Sequence, residues 1–124
     1  MNLSRLLAAA VLGVASFAAS AADAPARLVD GVLIAANGMT LYSFDKDAAG
    51  IDKSVCNGPC AALWPPLTAT ASDQPAGAYG IVTRDDGSRQ WAYKGKPVYT
   101  YKADQKPGDR SGDNFKEVWH LIKE

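Results

Sequence analysis

One stretch of this chain occurs twice, and the second copy limits what the chain can fold into. Gly38-Met39-Thr40-Leu41-Tyr42-Ser43-Phe44-Asp45-Lys46-Asp47 aligns with Gly95-Lys96-Pro97-Val98-Tyr99-Thr100-Tyr101-Lys102-Ala103-Asp104. Both copies open on a turn glycine and continue as Tyr-x-aromatic-x-x-Asp, and the strand before each glycine corresponds as well. Beyond each motif lies a glycine-containing loop, then an apolar residue followed by tryptophan, Leu63-Trp64 and Val118-Trp119. Each half therefore reads as hairpin, motif, loop and Trp-bearing segment. Units of roughly 40 residues are too small to hold a core alone. The two should pack together about a pseudo-twofold axis.

Turn residues divide the rest of the chain into short strands. Asn37-Gly38 separates Val32 to Ala35 from Thr40 to Phe44. Asn-Gly between apolar runs signals a type I′ hairpin, which needs φ > 0 at both central residues. Asp86-Gly87 divides Tyr79 to Thr83 from Gln90 to Tyr93, and Lys94-Gly95 divides that strand from Val98 to Tyr101. Val118 to Ile122 closes the chain as a last strand. Outside the N-terminus no window longer than two turns carries a 3.6-residue apolar period. The expected fold is all-β: a small antiparallel domain, whether meander, barrel-like or sandwich, built from two pseudo-symmetric hairpin repeats at about residues 31–67 and 80–122.

The N-terminus bears on location. Arg5, an uncharged apolar run from Leu6 to Ala19, and the small residues Ala19-Ser20-Ala21 follow the order of a secretory signal. Residues 1–21 read as a signal peptide, 22–27 as a mobile lead, and 28–124 as one β-rich domain. The apolar run is short for a membrane span, which needs roughly 20 residues, so no span is expected after cleavage. With no cysteine near the cleavage site, a soluble periplasmic or secreted product is expected rather than a lipid-anchored one. Once Arg5 is removed, 12 basic residues face 13 acidic ones. That balance lacks the basic surplus of a nucleic-acid binder.

In an exported chain the two cysteines, Cys56 and Cys60, favour a disulfide. Four residues apart on a helical turn, their Cα atoms would sit about 6 Å apart, within disulfide reach. The alternatives are a thiol redox pair, or a Cu(I) site of Cys56 and Cys60 with His120 or Met39 added. Zinc fits less well, since four protein ligands are wanted.

The aromatic residues divide between a packing role and a binding role. Tyr42 and Phe44 point to one strand face, as do Tyr99 and Tyr101, and Trp91 and Tyr93 on the neighbouring strand. The pairs could meet across the ladder as core, with Trp64 and Trp119, or form a platform for a sugar or another flat ligand. Asp47 and Asp104 stand where each motif strand should end. Asp commonly fixes such a turn by accepting from downstream backbone N–H groups. The acidic set Asp104, Asp109 and Asp113 lacks calcium-loop spacing. His120 is the single histidine. No nucleophile elbow, phosphate-cradling loop or paired glutamates accompany it. No enzymatic role, metal or cofactor is expected.

These residues resemble the bacterial secreted-repeat proteins, predicted lipoproteins with a Yx(FWY)xxD motif. The resemblance rests on Gly38 to Asp47, on Cys56-Asn57-Gly58-Pro59-Cys60-Ala61-Ala62-Leu63-Trp64-Pro65-Pro66-Leu67, and on Gly95 to Gly108. It implies an envelope location and a β-rich repeat domain, with Tyr42, Phe44, Asp47, Tyr99, Tyr101 and Asp104 as motif residues and no catalytic role attached to them. The lipobox cysteine of a lipoprotein is absent from this chain. The expected function is a non-enzymatic binding or interaction module whose partner is an envelope ligand or protein. The rival is thiol redox or copper handling by the Cys-x-x-x-Cys pair.

Overall fold

The computed structural model describes residues 24–124. The signal-peptide reading lies outside the described residues. Within them, no helix is long and apolar enough to cross a membrane. The fold is all-β, with short antiparallel strands and no closed barrel. In the first repeat these are β1 (Ala26–Val29), β2 (Val32–Ala35), β3 (Tyr42–Phe44) and β4 (Thr68–Ala69), with the one-turn helix α1 (Pro59–Leu63) before β4. In the second they are β5 (Tyr79–Thr83), β6 (Arg89–Tyr93), β7 (Lys96–Pro97) and β8 (Trp119–Leu121).

The folded region begins earlier than expected. Ala26, assigned from sequence to a mobile lead, is buried in the core and opens β1. β1 pairs with β2 through Val29↔Val32 across Asp30-Gly31. Both turn residues have positive φ, 52° and 79°, the signature of a type I′ turn. Asp-Gly between Arg27-Leu28-Val29 and Val32-Leu33-Ile34 was a legible signal for this hairpin.

The Asn37-Gly38 turn has a different form from the one its sequence suggests. Only Gly38 has positive φ, at 91°. Gly38 N–H donates to the Ala35 carbonyl at 2.8 Å, and Ala35 N–H to the Met39 carbonyl at 2.8 Å. This is a three-residue loop with a glycine bulge, and a Cβ on Gly38 would also lie 3.1 Å from Pro107. Asp86-Gly87 repeats that pattern, with Gly87 N–H on the Arg84 carbonyl and Arg84 N–H on the Ser88 carbonyl. Lys94-Gly95 is the type I′ turn, with φ of 50° and 86°. Each repeat thus uses one turn of each kind, in opposite order.

The motif strands form the middle of the domain. Side chains alternate along them, and both faces are covered. Leu41 and Val98 join Leu33, Trp91 and Tyr93 in one core. Tyr42 and Tyr99, one residue on, join Phe44, Trp64 and Trp119 in the other. Trp91 and Tyr93 consequently pack with Tyr79, at 6.5 and 5.4 Å between ring centroids. They do not meet the motif aromatics across a ladder as expected, because the motif strand itself separates the two cores.

Candidate functional site

The two repeats meet at Tyr42 and Tyr99. Tyr42 N–H donates to the Tyr99 carbonyl at 2.8 Å, and Tyr99 N–H to the Tyr42 carbonyl at 3.0 Å. This reciprocal bridge marks the pseudo-twofold axis, and contacts on either side of it come in matched pairs. β8 of the second repeat pairs with β3 of the first, through Phe44↔Trp119 and Ser43↔His120. In the mirror arrangement, Leu63 to Pro66 of the first repeat run beside Tyr99 to Lys102 of the second. There Thr100 N–H donates to the Pro65 carbonyl and Lys102 N–H to the Leu63 carbonyl, both at 2.9 Å. The prolines have no N–H to return, so this second ladder is less regular than the first. Each repeat's Trp-bearing segment therefore completes the motif strand of the other repeat.

The motif side chains are exchanged in the same way. Tyr42 Oη donates to Asp104 Oδ2 at 2.6 Å, and Tyr99 Oη donates to Asp47 Oδ2. Both tyrosines are fully buried, and both aspartates nearly so. The second carboxylate oxygen of each aspartate fixes its own loop: Asp47 Oδ1 accepts Val55 N–H at 2.7 Å, and Asp104 Oδ1 accepts Ser111 N–H at 2.9 Å. The tyrosine oxygens also accept. Ser54 Oγ–H donates to Tyr99 Oη, and Gly112 N–H to Tyr42 Oη at 3.2 Å. Gly112 is needed there, since a Cβ would come within 2.6 Å of the Trp64 ring. Burial first, then the hydrogen bond to Asp104, raises the Tyr42 pKa above its ordinary value. Burial and the bond to Asp47 do the same to Tyr99.

Four rings form a column through the axis. Trp64 and Trp119 stack at 3.8 Å between centroids, with planes 2° apart. Phe44 caps Trp119 at 4.2 Å, and Tyr101 caps Trp64 at 4.1 Å. The tryptophan of each repeat thus stacks on the second motif aromatic of the other. Tyr42 stands edge-on to Trp64 at 5.3 Å and Tyr99 edge-on to Trp119 at 5.1 Å. Such pairs add about 0.5–1.5 kcal/mol each beyond their burial. The rings meet each other in the interior, where a platform for a sugar would need an open face.

Cys56 and Cys60 are joined in a disulfide, with Cα atoms 5.2 Å apart. Cys56 is fully buried against the aromatic core, and its N–H donates to Ser54 Oγ at 3.1 Å. The disulfide loop is thereby linked through Ser54 to Tyr99 and Asp47. Cys60 on α1 and Phe115, in the single irregular turn Phe115–Glu117, hold corresponding places, each four residues before a tryptophan. The second repeat packs Phe115 on Trp64 and Tyr101 where the first has a covalent bridge.

A second anchor of the loop has no signal in the sequence. The Arg84 guanidinium, 5 % exposed, donates to the Cys56 carbonyl, to Asn57 Oδ1 at 3.2 Å and to Gln90 Oε1 at 2.6 Å. Gln90 Nε2 passes the chain on to the Val98 carbonyl at 2.9 Å. Arg84 lies 28 residues from Cys56, so only the packed fold brings them together. Beside it opens a shallow cleft of about 560 Å³ lined by Asn57, Gly58, Arg84, Asp85, Asp86 and Ser88, among others. Burial of Cys56 places it on the interior side of this loop, with Cys60 half-buried on α1 and the polar rim outward.

His120 lies on β8, where its Nε2 pairs with Asp45 Oδ2 at 2.8 Å in a partly exposed position. Met39 sits at the Asn37-Gly38 turn, half-buried. Both cysteine sulfurs are committed to each other. Among the described residues no three His, Cys, Asp or Glu side chains converge to hold a metal ion. Asp109 accepts the N–H groups of Gln105 and Lys106, and Asp113 that of Leu121. These carboxylates hold loop and strand backbone.

The chain matches the family described as a secreted repeat of unknown function over residues 29–68, and again over residues 80–123. No curated protein and no solved structure matches it. The two matched segments coincide with the two interlocked units of the fold, and they confirm the resemblance read from the motif. The chain belongs to the secreted-repeat family and carries two copies of its repeat.

Proposed function

We propose that this exported protein works in the periplasm or beyond as a non-enzymatic interaction module of the cell envelope. It binds through surface loops, and its signature residues serve the scaffold. One observation carries the reading: Tyr42, Asp47, Tyr99 and Asp104 bond one another across the repeats in the interior. The chemically capable groups of the motif are consumed there in holding the two halves together. The cleft beside the disulfide loop is the best-built surface feature, because α1, the Cys56–Cys60 bond and buried Arg84 all fix its wall. A fixed wall lowers the entropy lost on binding. The rival thiol or copper reading has the full burial of Cys56 against it, since an attacking thiolate needs access.

Photo-crosslinking in living cells tests the proposal. A crosslinking residue at Thr68 or Ser88, both lining the cleft, should give a discrete adduct in the envelope fraction, while one at Lys102 should not. Absence of any adduct from the rim positions would sink the binding role. Recovery of the protein only from the culture medium would move its site of action outside the cell.

A further inference from the structure

The repeats do not merely lie side by side. Each supplies the other with a strand partner, a carboxylate for its buried tyrosine and a ring for its tryptophan column. These three elements are present in both halves, so the interface around Tyr42 and Tyr99 is self-complementary, as in an isologous dimer, while the Arg84 bonds to the Cys56 loop run one way only. The covalent link between the halves is the segment from Thr70 to Ala78, nine residues. Its main-chain bonds are local, Asp73 N–H to the Thr70 carbonyl and Ala76 paired with Tyr79, save one at its end, from Lys94 N–H of the second repeat to the Ala78 carbonyl. Nothing in the interface itself requires that both repeats come from one chain.

We propose that the repeat interface accepts a second copy of this chain. The first repeat of one molecule pairs with the second repeat of its partner, giving an exchanged dimer with the same residue contacts as the monomer. In the unaltered chain the link holds the two halves at an effective concentration of about millimolar, so closure within one molecule dominates in dilute solution. The link has a definite span to cover. β4 and β5 flank β6 on opposite sides. Ala69 lies opposite Arg89, and Tyr79 opposite Tyr93, four positions along β6. At about 3.3 Å per residue and two strand spacings of about 4.8 Å, the gap is about 16 Å. Removing Ser72 to Gly77 leaves three residues in the link, which reach at most about 14 Å. With the Ala69–Arg89 and Tyr79–Tyr93 pairs kept, such a chain cannot close on itself but can still close on a partner.

The test is light-scattering chromatography of the exported protein lacking Ser72 to Gly77, with near-ultraviolet circular dichroism to report the packed tryptophans. The expected result is essentially complete conversion to a folded dimer that does not dissociate on tenfold dilution. A variant with those six residues replaced by Gly and Ser at equal length should stay a folded monomer. A shortened chain that is a folded monomer overturns the proposal. So does one that fails to fold, because exchange supplies every contact that shortening leaves intact. Dimerisation of the equal-length variant would trace association to lost link contacts and overturn it too. As a second arm, the unaltered chain refolded at millimolar concentration should yield a dimer fraction that persists on dilution; its absence counts against exchange.

Discussion

Tyr42 of the first repeat donates its hydroxyl hydrogen bond to Asp104 of the second, 62 residues away, while Asp47 in its own motif serves Tyr99. The signature of the repeat is thus satisfied only when two repeats are interlocked. This explains why tyrosine and aspartate occur together in the motif.

The exchange sets a thermodynamic expectation. Tyr42→Phe and Tyr99→Phe each leave a buried carboxylate short of a donor, and each should cost about 1–3 kcal/mol. Tyr42→Ala or Tyr99→Ala should cost about 3–5 kcal/mol, as large-to-small aromatic changes in cores do. In double-mutant cycles by urea unfolding, Tyr42→Phe should couple to Asp104→Ala and be nearly additive with Asp47→Ala. Coupling to Asp47 would mean that each motif closes on itself.

Alkaline stability follows from the same pair. The raised pKa of each buried tyrosine means that the folded state holds its protons more tightly than the unfolded chain does. This contribution is fully present below the unfolded tyrosine pKa of about 10 and is lost progressively above it. Unfolding midpoints should be flat in this term up to about pH 10 and fall beyond it. Tyrosinate absorbance should show Tyr42 and Tyr99 ionising only with unfolding, as a loss of amplitude in the folded state that Tyr42→Phe and Tyr99→Phe remove. Reversible titration of all five tyrosines in the folded protein would contradict the buried hydrogen bonds.

The disulfide should behave as a local pin. Its loop is short, and chain entropy gives about 2 kcal/mol on closing it. Replacing both cysteines by serine should therefore weaken the domain modestly without abolishing folding. Titration against thiol buffers should return a potential below about −300 mV, the range of structural bonds. A potential near about −200 mV, or Cu(I) binding that vanishes in Cys56→Ser, would promote the redox or copper role instead.

Arg84 should matter more than a surface arginine does. Arg84→Ala strands the Cys56 carbonyl and the side-chain oxygens of Asn57 and Gln90, at a cost of about 3 kcal/mol. Arg84→Lys should restore less than half of that, because one ammonium cannot reproduce the forked geometry that serves three acceptors. Full rescue by lysine in thermal melts would show that charge alone holds the loop.

Local chemistry made much of this protein legible. Alternating strands, Gly-bearing turns, the doubled motif and the disulfide follow from backbone sterics, side-chain period and short spacings, which act within a few residues. Of the two roles open to the motif aromatics, core and platform, the structure takes the first, with Tyr42 and Tyr99 fully buried. Three things were decided only by packing. The sequence offers Tyr42 two equivalent aspartates, and the crossing of the Trp-bearing segments selects the distant one. Trp91 and Tyr93 share the alternation of the motif aromatics, yet the motif strand, buried on both faces, sends them to the opposite core. Arg84 reads as a hairpin-end residue until the folded chain brings the Cys56 carbonyl to it. In each case a side chain of fixed chemistry has several satisfactory partners in principle, and the choice among them depends on geometry that exists only once both repeats are interlocked.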